Sequence, residues 1–217
     1  MKKRIVIIDD HPIVRQGFTQ LINQEDDLIV VGEAEDAAGA FELVERLKPD
    51  LALIDLSLKN SNGIELIKDL SHLYPDFLML VISLHEESVY AERSLRAGAK
   101  GFIMKAEATE NVMTAIRMVL QGDIYLSGSM RNRILHSITS GGNPRNKKNM
   151  EEYLSDRELQ VLQAVGRGAS TKEIADDLNL SIKTIETYKS HLKQKLSLKN
   201  STELMQYAVE WYLKNVR

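Results

Sequence analysis

The chain has 217 residues and a mass of 24.5 kDa, enough for two modest domains, with 43% hydrophobic and 27% charged residues and a net charge of −3. No apolar run approaches the roughly 20 residues that a membrane-spanning helix needs, and the lack of cysteine excludes disulfides and thiolate metal centres. The basic start is followed by an apolar run of only Ile5 to Ile8, closed by two aspartates, too short for a secretory leader; the expected compartment is the cytoplasm, with no membrane partner.

Short β-branched or apolar runs occur at Arg4–Ile8, Leu28–Gly32, Leu51–Ile54, Leu78–Ser83 and Gly101–Met104. Between them lie stretches of helical period. In Pro12–Gln24 the residues Val14, Phe18, Leu21 and Ile22 share one helix face, and Ala37–Leu47, Gly63–Leu73, Ser88–Ala97 and Thr109–Gln121 behave alike. Gly98 and Gly122 stand where helices should stop. Strand and helix in alternation predict a parallel sheet covered on both faces, and the continuous apolar runs Ile5–Ile8 and Leu51–Ile54 suit its centre. Right-handed crossovers favour the doubly wound five-stranded order over residues 1–122.

After Gly122 the pattern changes. Residues 123–150 read as a basic linker with a helix at Ser129–Ile138, followed by a breaker-rich stretch from Thr139 to Asn149 expected to be exposed and flexible. Residues 1–123 carry a net charge of −8, residues 124–150 a net +5, and residues 151–217 none. Such a split suggests separate tasks for separate segments.

Residues 151–217 read as wholly helical. Ser155-Asp-Arg-Glu158 and Ser170-Thr-Lys-Glu173 both have the capping-box form ahead of an apolar helix. Asn179–Ser181 makes a tight turn, and Ser181 caps a third helix through Leu196; such spacing fits a helix-turn-helix. On the third helix Ile185, Tyr188, Leu192 and Leu196 should face the core, leaving Lys183, Glu186, Thr187, Ser190 and Lys193 outside. Residues 181–199 carry a net +4, the electrostatic footprint of phosphate contacts with short polar side chains beside them for base edges. A solvated helix face would explain the charge alone; the double cap and tight turn favour DNA. RNA fits less well, since no aromatic stacking platform is present.

In an open α/β sheet, ligands bind beyond the carboxyl ends of the strands. Asp9 and Asp10 close the first strand there, Asp55 closes the third, Ser83 ends the fourth and Lys105 follows the fifth. Packed carboxylates repel unless a proton or a hard cation intervenes, and Mg²⁺ suits the donors. Two carboxylates, a third, a hydroxyl and an ammonium suit a phosphoryl group. No nucleotide-binding glycine motif occurs.

On these residues the chain resembles two-component response regulators of the NarL/FixJ family, with a receiver domain and a LuxR-type helix-turn-helix. IVIIDDHPIVRQG, LALIDLSLKNSNG, VISLHEES and AGAKGFIMK carry the first resemblance; LSDRELQVL, STKEIA and SIKTIETY carry the second. The resemblance implies that Asp55 accepts a phosphoryl group from a sensor histidine kinase, with Asp10 binding Mg²⁺ directly, Asp9 through water and Ser57 through its backbone carbonyl. Ser83 and Lys105 would hold phosphoryl oxygens, and Phe102 would be the aromatic switch, moving inward on phosphorylation. The receiver would promote only its own phosphoryl transfer and loss, so no enzyme with an external substrate is expected. Leu58–Lys59 departs from the Met-Pro common in the family, implying a less rigid loop after Asp55.

In the C-terminal segment the resemblance places recognition positions on Glu186, Thr187 and Ser190. Lys172, Lys183, Lys189 and Lys193 would contact phosphates, with Thr184 also facing promoter DNA. It further implies a homodimer on activation, through a final helix carrying Leu204, Tyr207, Ala208 and Trp211, although a monomer's own core packing explains Leu204 and Ala208 nearly as well. Two other classes stay open: a metal-dependent enzyme on the carboxylates, and a binding module indifferent to phosphorylation.

Overall fold

The structure is a computed structural model and describes residues 1–59, 61–139 and 154–215. Two compact units divide the chain, Met1–Asn132 and Arg133–Arg217. No helix among the described residues is long and apolar enough to cross a membrane.

The first unit is a five-stranded parallel sheet built from β1 (Lys3–Ile8), β2 (Leu28–Ala34), β3 (Leu51–Ile54), β6 (Leu78–Ser83) and β7 (Gly101–Met104), in the order β2-β1-β3-β6-β7. This is the doubly wound arrangement expected from the alternation of strand and helix. Helices α1 (Pro12–Asn23), α2 (Ala37–Leu47), α3 (Gly63–Leu73), α4 (Glu87–Ala97) and α5 (Lys105–Leu120) link the strands. Ile5 to Ile8 and Leu51 to Ile54 are buried throughout, as strands covered on both faces must be. One side of the core joins Phe18 and Ile22 of α1 to Val112, Ile116 and Val119 of α5 across the sheet residues Ile7, Leu53 and Ile82.

Side-chain caps set several helix starts. Asp36 accepts from Gly39 N at 2.8 Å, and Asn62 accepts from Ile64 N at 2.8 Å and Glu65 N at 3.3 Å. Gly98 ends α4 at φ +120°, where a Cβ would also stand 2.4 Å from Ser71 Oγ, so glycine is required twice over. Helix α5 begins at Lys105, directly after β7, four residues before the apolar periodicity that signals it. A two-residue hairpin, β4 (Ser57–Leu58) with β5 (Ser61–Asn62), follows Asp55. The backbone N–H of Lys59 donates to Glu35 O at 3.3 Å and its ammonium to Glu35 Oε1 at 2.8 Å. These contacts fasten the loop that lacks the family's proline.

Past α5 the chain returns to the sheet edge. Tyr125 bridges to Gly101, its N–H donating to Lys100 O and its carbonyl accepting from Phe102 N, both at 3.0 Å. Helix α6 spans Gly128–Thr139, close to the expected Ser129–Ile138. The stretch expected to be flexible lies, after Thr139, outside the described residues.

The second unit holds α7 (Asp156–Gly166), α8 (Thr171–Asp177), α9 (Ile182–Lys195) and α10 (Ser201–Asn215). Both capping boxes form, Ser155 with Glu158 and Ser170 with Glu173, and Ser181 caps α9. Glu158 is buried and also takes the Lys195 ammonium at 2.7 Å, tying the start of α7 to the end of α9. Ile174, Ala175, Ile185, Leu192, Leu196, Leu204, Ala208 and Trp211 are buried within this unit, whereas Tyr188 is only half-buried.

Candidate functional site

Strand register assembles the first site. Ile8 pairs with Ile54, and Asp55 N donates to Ile8 O at 2.8 Å, so Asp9 and Asp55 emerge side by side. Ser83 pairs with Met104, which delivers Lys105 to the same rim. The Lys105 ammonium lies 2.7 Å from Asp9 Oδ2 and 2.7 Å from Asp55 Oδ2, with its side chain only 8% exposed. That double tether explains the early start of α5: the ion pairs fix Lys105 where no apolar pattern marks a helix.

Gly63 sits tight beneath Asp55, since a Cβ there would stand 2.2 Å from the Asp55 carbonyl oxygen. Burial pushes the Asp55 carboxyl up to about 6; Lys105 opposes this and Asp9 adds to it. Burial works against the Lys105 ammonium too, but Asp55 and Asp9 outweigh it and its pKa is raised.

The remaining oxygens point to a cation. Asp55 Oδ1 and Asp10 Oδ1 are buried without a hydrogen-bond partner. Asp10 Oδ1 lies 2.6 Å from His11 Nδ1 but outside hydrogen-bonding angles. Each of Asp9, Asp10, His11 and Asp55 offers a ligand atom within 4.8 Å of the others. Buried, unsatisfied carboxylate oxygens at this spacing fit a small hard divalent cation. His11 was not singled out in the sequence, although its position beside the aspartate pair was the available signal. Arg15 was missed as well; it donates to Asp9 O at 2.6 Å and to Glu33 at 3.2 Å.

Ser83 is fully buried and its Oγ accepts from His85 N at 3.1 Å. Ser57 Oγ and His85 Nε2 are 3.0 Å apart, and the His85 ring lies 4.7 Å from that of Tyr90. Phe102 is already fully buried. In this conformation its ring is therefore already inside the domain.

The second site lies on α8 and α9. Lys172, Lys183, Glu186, Thr187 and Ser190 are exposed, and on α9 the spacing of 183, 186, 187 and 190 gives one face. Thr184 is half-buried and turned into the cap, its hydroxyl 2.7 Å from Ser181 Oγ. Lys189 is half-buried and donates to Thr171 Oγ1, which itself donates to Glu186 Oε1 at 3.0 Å. Lys193 is half-buried. Thr184 and Lys189 therefore sit in internal networks, apart from the open face. Ile182, 54% exposed at the start of α9, belongs to that face and was not foreseen.

The expected dimer residues need correction. Leu204, Ala208 and Trp211 are 2%, 0% and 7% exposed, packed into their own unit, and Tyr207 is half-buried. Gly166 of α7 abuts Ala208 so closely that a Cβ would lie 2.4 Å from its carbonyl oxygen. The free apolar stripe of α10 is Met205, Val209 and Leu213, at 53%, 36% and 46% exposure.

Residues 5–117 match the family described as response regulator receiver domain, and residues 152–208 match bacterial regulatory proteins of the luxR family. The chain is 36% identical over 210 residues to the oxygen regulatory protein NreC of Staphylococcus carnosus, covering 95% of this chain and 97% of the relative. The chain belongs to the two-component response regulators of the NarL/FixJ type, with a LuxR-type helix-turn-helix. Solved structures of such regulators are similar. One is RcsB from Salmonella enterica bound to promoter rprA with the phosphomimetic BeF3−, 29% identical at a TM-score of 0.61, covering 96% of this chain and 99% of that one. Another holds two RcsB dimers on two parallel DNAs, 28% identical at a TM-score of 0.58 over 100% of both chains. In this response regulator the carboxylate rim lies within the receiver domain, and α8 and α9 lie within the luxR-family domain.

Proposed function

We propose that this response regulator acts in the cytoplasm, takes a phosphoryl group on Asp55 from a sensor histidine kinase and, so modified, binds promoter DNA as a dimer to control transcription. The observation that carries the reading is the Lys105 ammonium held between Asp9 and Asp55, beside an Asp55 oxygen without a partner. Asp55 Oδ1 attacks the donor phosphorus, the donor's bond to phosphorus breaks, and an acyl phosphate forms. Lys105 then pairs with the new phosphoryl oxygens, and the Ser83 hydroxyl, whose proton is not committed to His85, donates to another. Asp9, Asp10, Asp55 and the Ser57 carbonyl would hold Mg²⁺, which when bound neutralises phosphoryl oxygens. The protein's chemistry is confined to itself, with no external substrate turned over.

On DNA, the open face of α9 enters the major groove. Lys172, Lys183 and Lys193 reach phosphates; Glu186, Thr187 and Ser190 face base edges, with Ile182 placed for a thymine methyl. RcsB dimers occupy DNA in a similar structure, and the Met205–Val209–Leu213 stripe is the apolar surface available on α10 for a second copy.

Intact mass after incubation with Mg²⁺ and acetyl phosphate tests the first step. One phosphate adduct is expected on the wild type and none on Asp55→Asn. An adduct of equal yield on both would overturn the assignment of Asp55.

A further inference from the structure

We infer that Glu87 and Ser127 form a relay that carries the state of the acceptor site into α6. Glu87 opens α4 and is buried. One of its carboxylate oxygens accepts from Ser127 N at 2.8 Å and the other from Ser127 Oγ. Ser127 is in turn the cap of α6, its Oγ accepting from Met130 N at 3.1 Å. Because the single Ser127 hydroxyl proton goes to Glu87, the Ser129 hydroxyl is the donor in the 2.8 Å contact between the two serines. A buried carboxylate is costly unless it is hydrogen-bonded. Here one residue forty positions downstream supplies both bonds. The starts of α4 and α6 therefore cannot part without stranding that charge.

The upstream side of the relay is equally short of slack. Glu87 follows Ser83 by four residues, and the intervening loop is fastened at Ser83 Oγ by His85 N and at Ser57 by His85 Nε2. A phosphoryl group that draws Ser83 toward Asp55 pulls on a loop whose far end is clamped to the cap of α6. The sheet edge offers a parallel link, since Phe102 and Lys100 hold Tyr125 two residues before Ser127. Helix α6 then runs across the boundary between the two compact units at Asn132 and Arg133. Glu87 and Ser127 touch neither phosphoryl group nor DNA, so both are positioning residues.

The inference rests on the phosphorylation-dependent reading above, and the test separates the two. Full-length wild type, Glu87→Ala, Ser127→Ala, the double variant and Ser127→Thr are compared on a duplex that the wild type selects from a randomised library. Phosphate adduct yield, the ratio of phosphorylated to unphosphorylated affinity, and hydrogen exchange over residues 128–134 with and without beryllofluoride are measured. The wild type should gain about tenfold or more on phosphorylation. Both alanine variants and the double variant should lose that gain to a similar extent, as partners in one contact do, while adduct yield stays unchanged. Ser127→Thr, which keeps the hydroxyl, should retain the gain, and the exchange change at 128–134 should vanish only in the alanine variants. A merely structural contact would lower the melting temperature and leave the affinity ratio intact, which would overturn the relay. Fully phosphorylated wild type without any gain would instead remove the regulatory reading, and the relay with it.

Discussion

Asp55 and Asp9 share a buried space with one ammonium, two formal negative charges against a single positive one. The arrangement suits a phosphoryl group and a cation better than it suits the bare protein. Without a cation Asp55 titrates near 6 instead of the ordinary 3.8. An acid whose folded pKa is raised binds its proton more tightly when folded, so its contribution is most favourable at low pH and is lost as pH rises from about 4 through about 6. Two units correspond to about 3 kcal/mol, the order of magnitude by which an ionised Asp55 burdens the cation-free fold. Asp55→Asn, with Lys105 still paired to Asp9, should therefore raise stability in EDTA at pH 7.5 by about 1–3 kcal/mol and bring no gain at pH 4. Urea unfolding of both proteins at both pH values checks this, and Mg²⁺ should raise the wild-type midpoint more than that of the variant. Equal midpoints at pH 7.5 would mean that the pocket tolerates the charge by some contact other than those seen.

Helices and strands differ in how far their positions could be read from the sequence. The five strands were legible because central parallel strands must be continuously apolar, and Ile5–Ile8 and Leu51–Ile54 are. Their register placed Asp9, Asp55, Ser83 and Lys105 on one rim, so that cluster was legible as well. The start of α5 was not, because ion pairs to residues 50 and 96 positions away set it rather than any local periodicity. The hairpin after Asp55 is too short to leave a pattern. The fault in α10 is of a different kind: two apolar stripes lie side by side, one through Leu204, Ala208 and Trp211 and one through Met205, Val209 and Leu213. Periodicity finds both stripes and cannot say which one meets α7. Since the second is exposed, Val209→Glu should leave folding within about 0.5 kcal/mol of wild type. The phosphorylated variant should sediment as a monomer and bind its duplex at least about tenfold more weakly, a loss of about 1.4 kcal/mol. A variant that still dimerises would place the contact between copies elsewhere.

Across the whole chain, charge is divided by task. Residues 1–123 carry −8, whereas residues 181–199, which include all of α9, carry +4. On the proposed reading the acidic part serves a site for a cation and a phosphoryl group, and the basic part serves a polyanion, binding to which must weaken with salt as counterions are released. The number of phosphates engaged is read from the slope of affinity against salt, and the structure distinguishes lysines that the sequence treats alike. Lys183 is exposed at the start of α9, whereas Lys189 is half-buried in a network with Thr171 and Glu186 that braces α8 against α9. Lys183→Ala should weaken binding by a similar factor on every duplex and reduce the salt slope by about 1. Lys189→Ala should change the slope much less, because its ammonium already has partners within the protein. Its loss should instead lower the melting temperature of the C-terminal unit and leave the Glu186 carboxylate held by Thr171 without the ammonium, altering base preference near that residue. Titration of the wild type and both variants at several salt concentrations decides between these roles, and equal slope changes for the two lysines would place Lys189 on the DNA backbone after all.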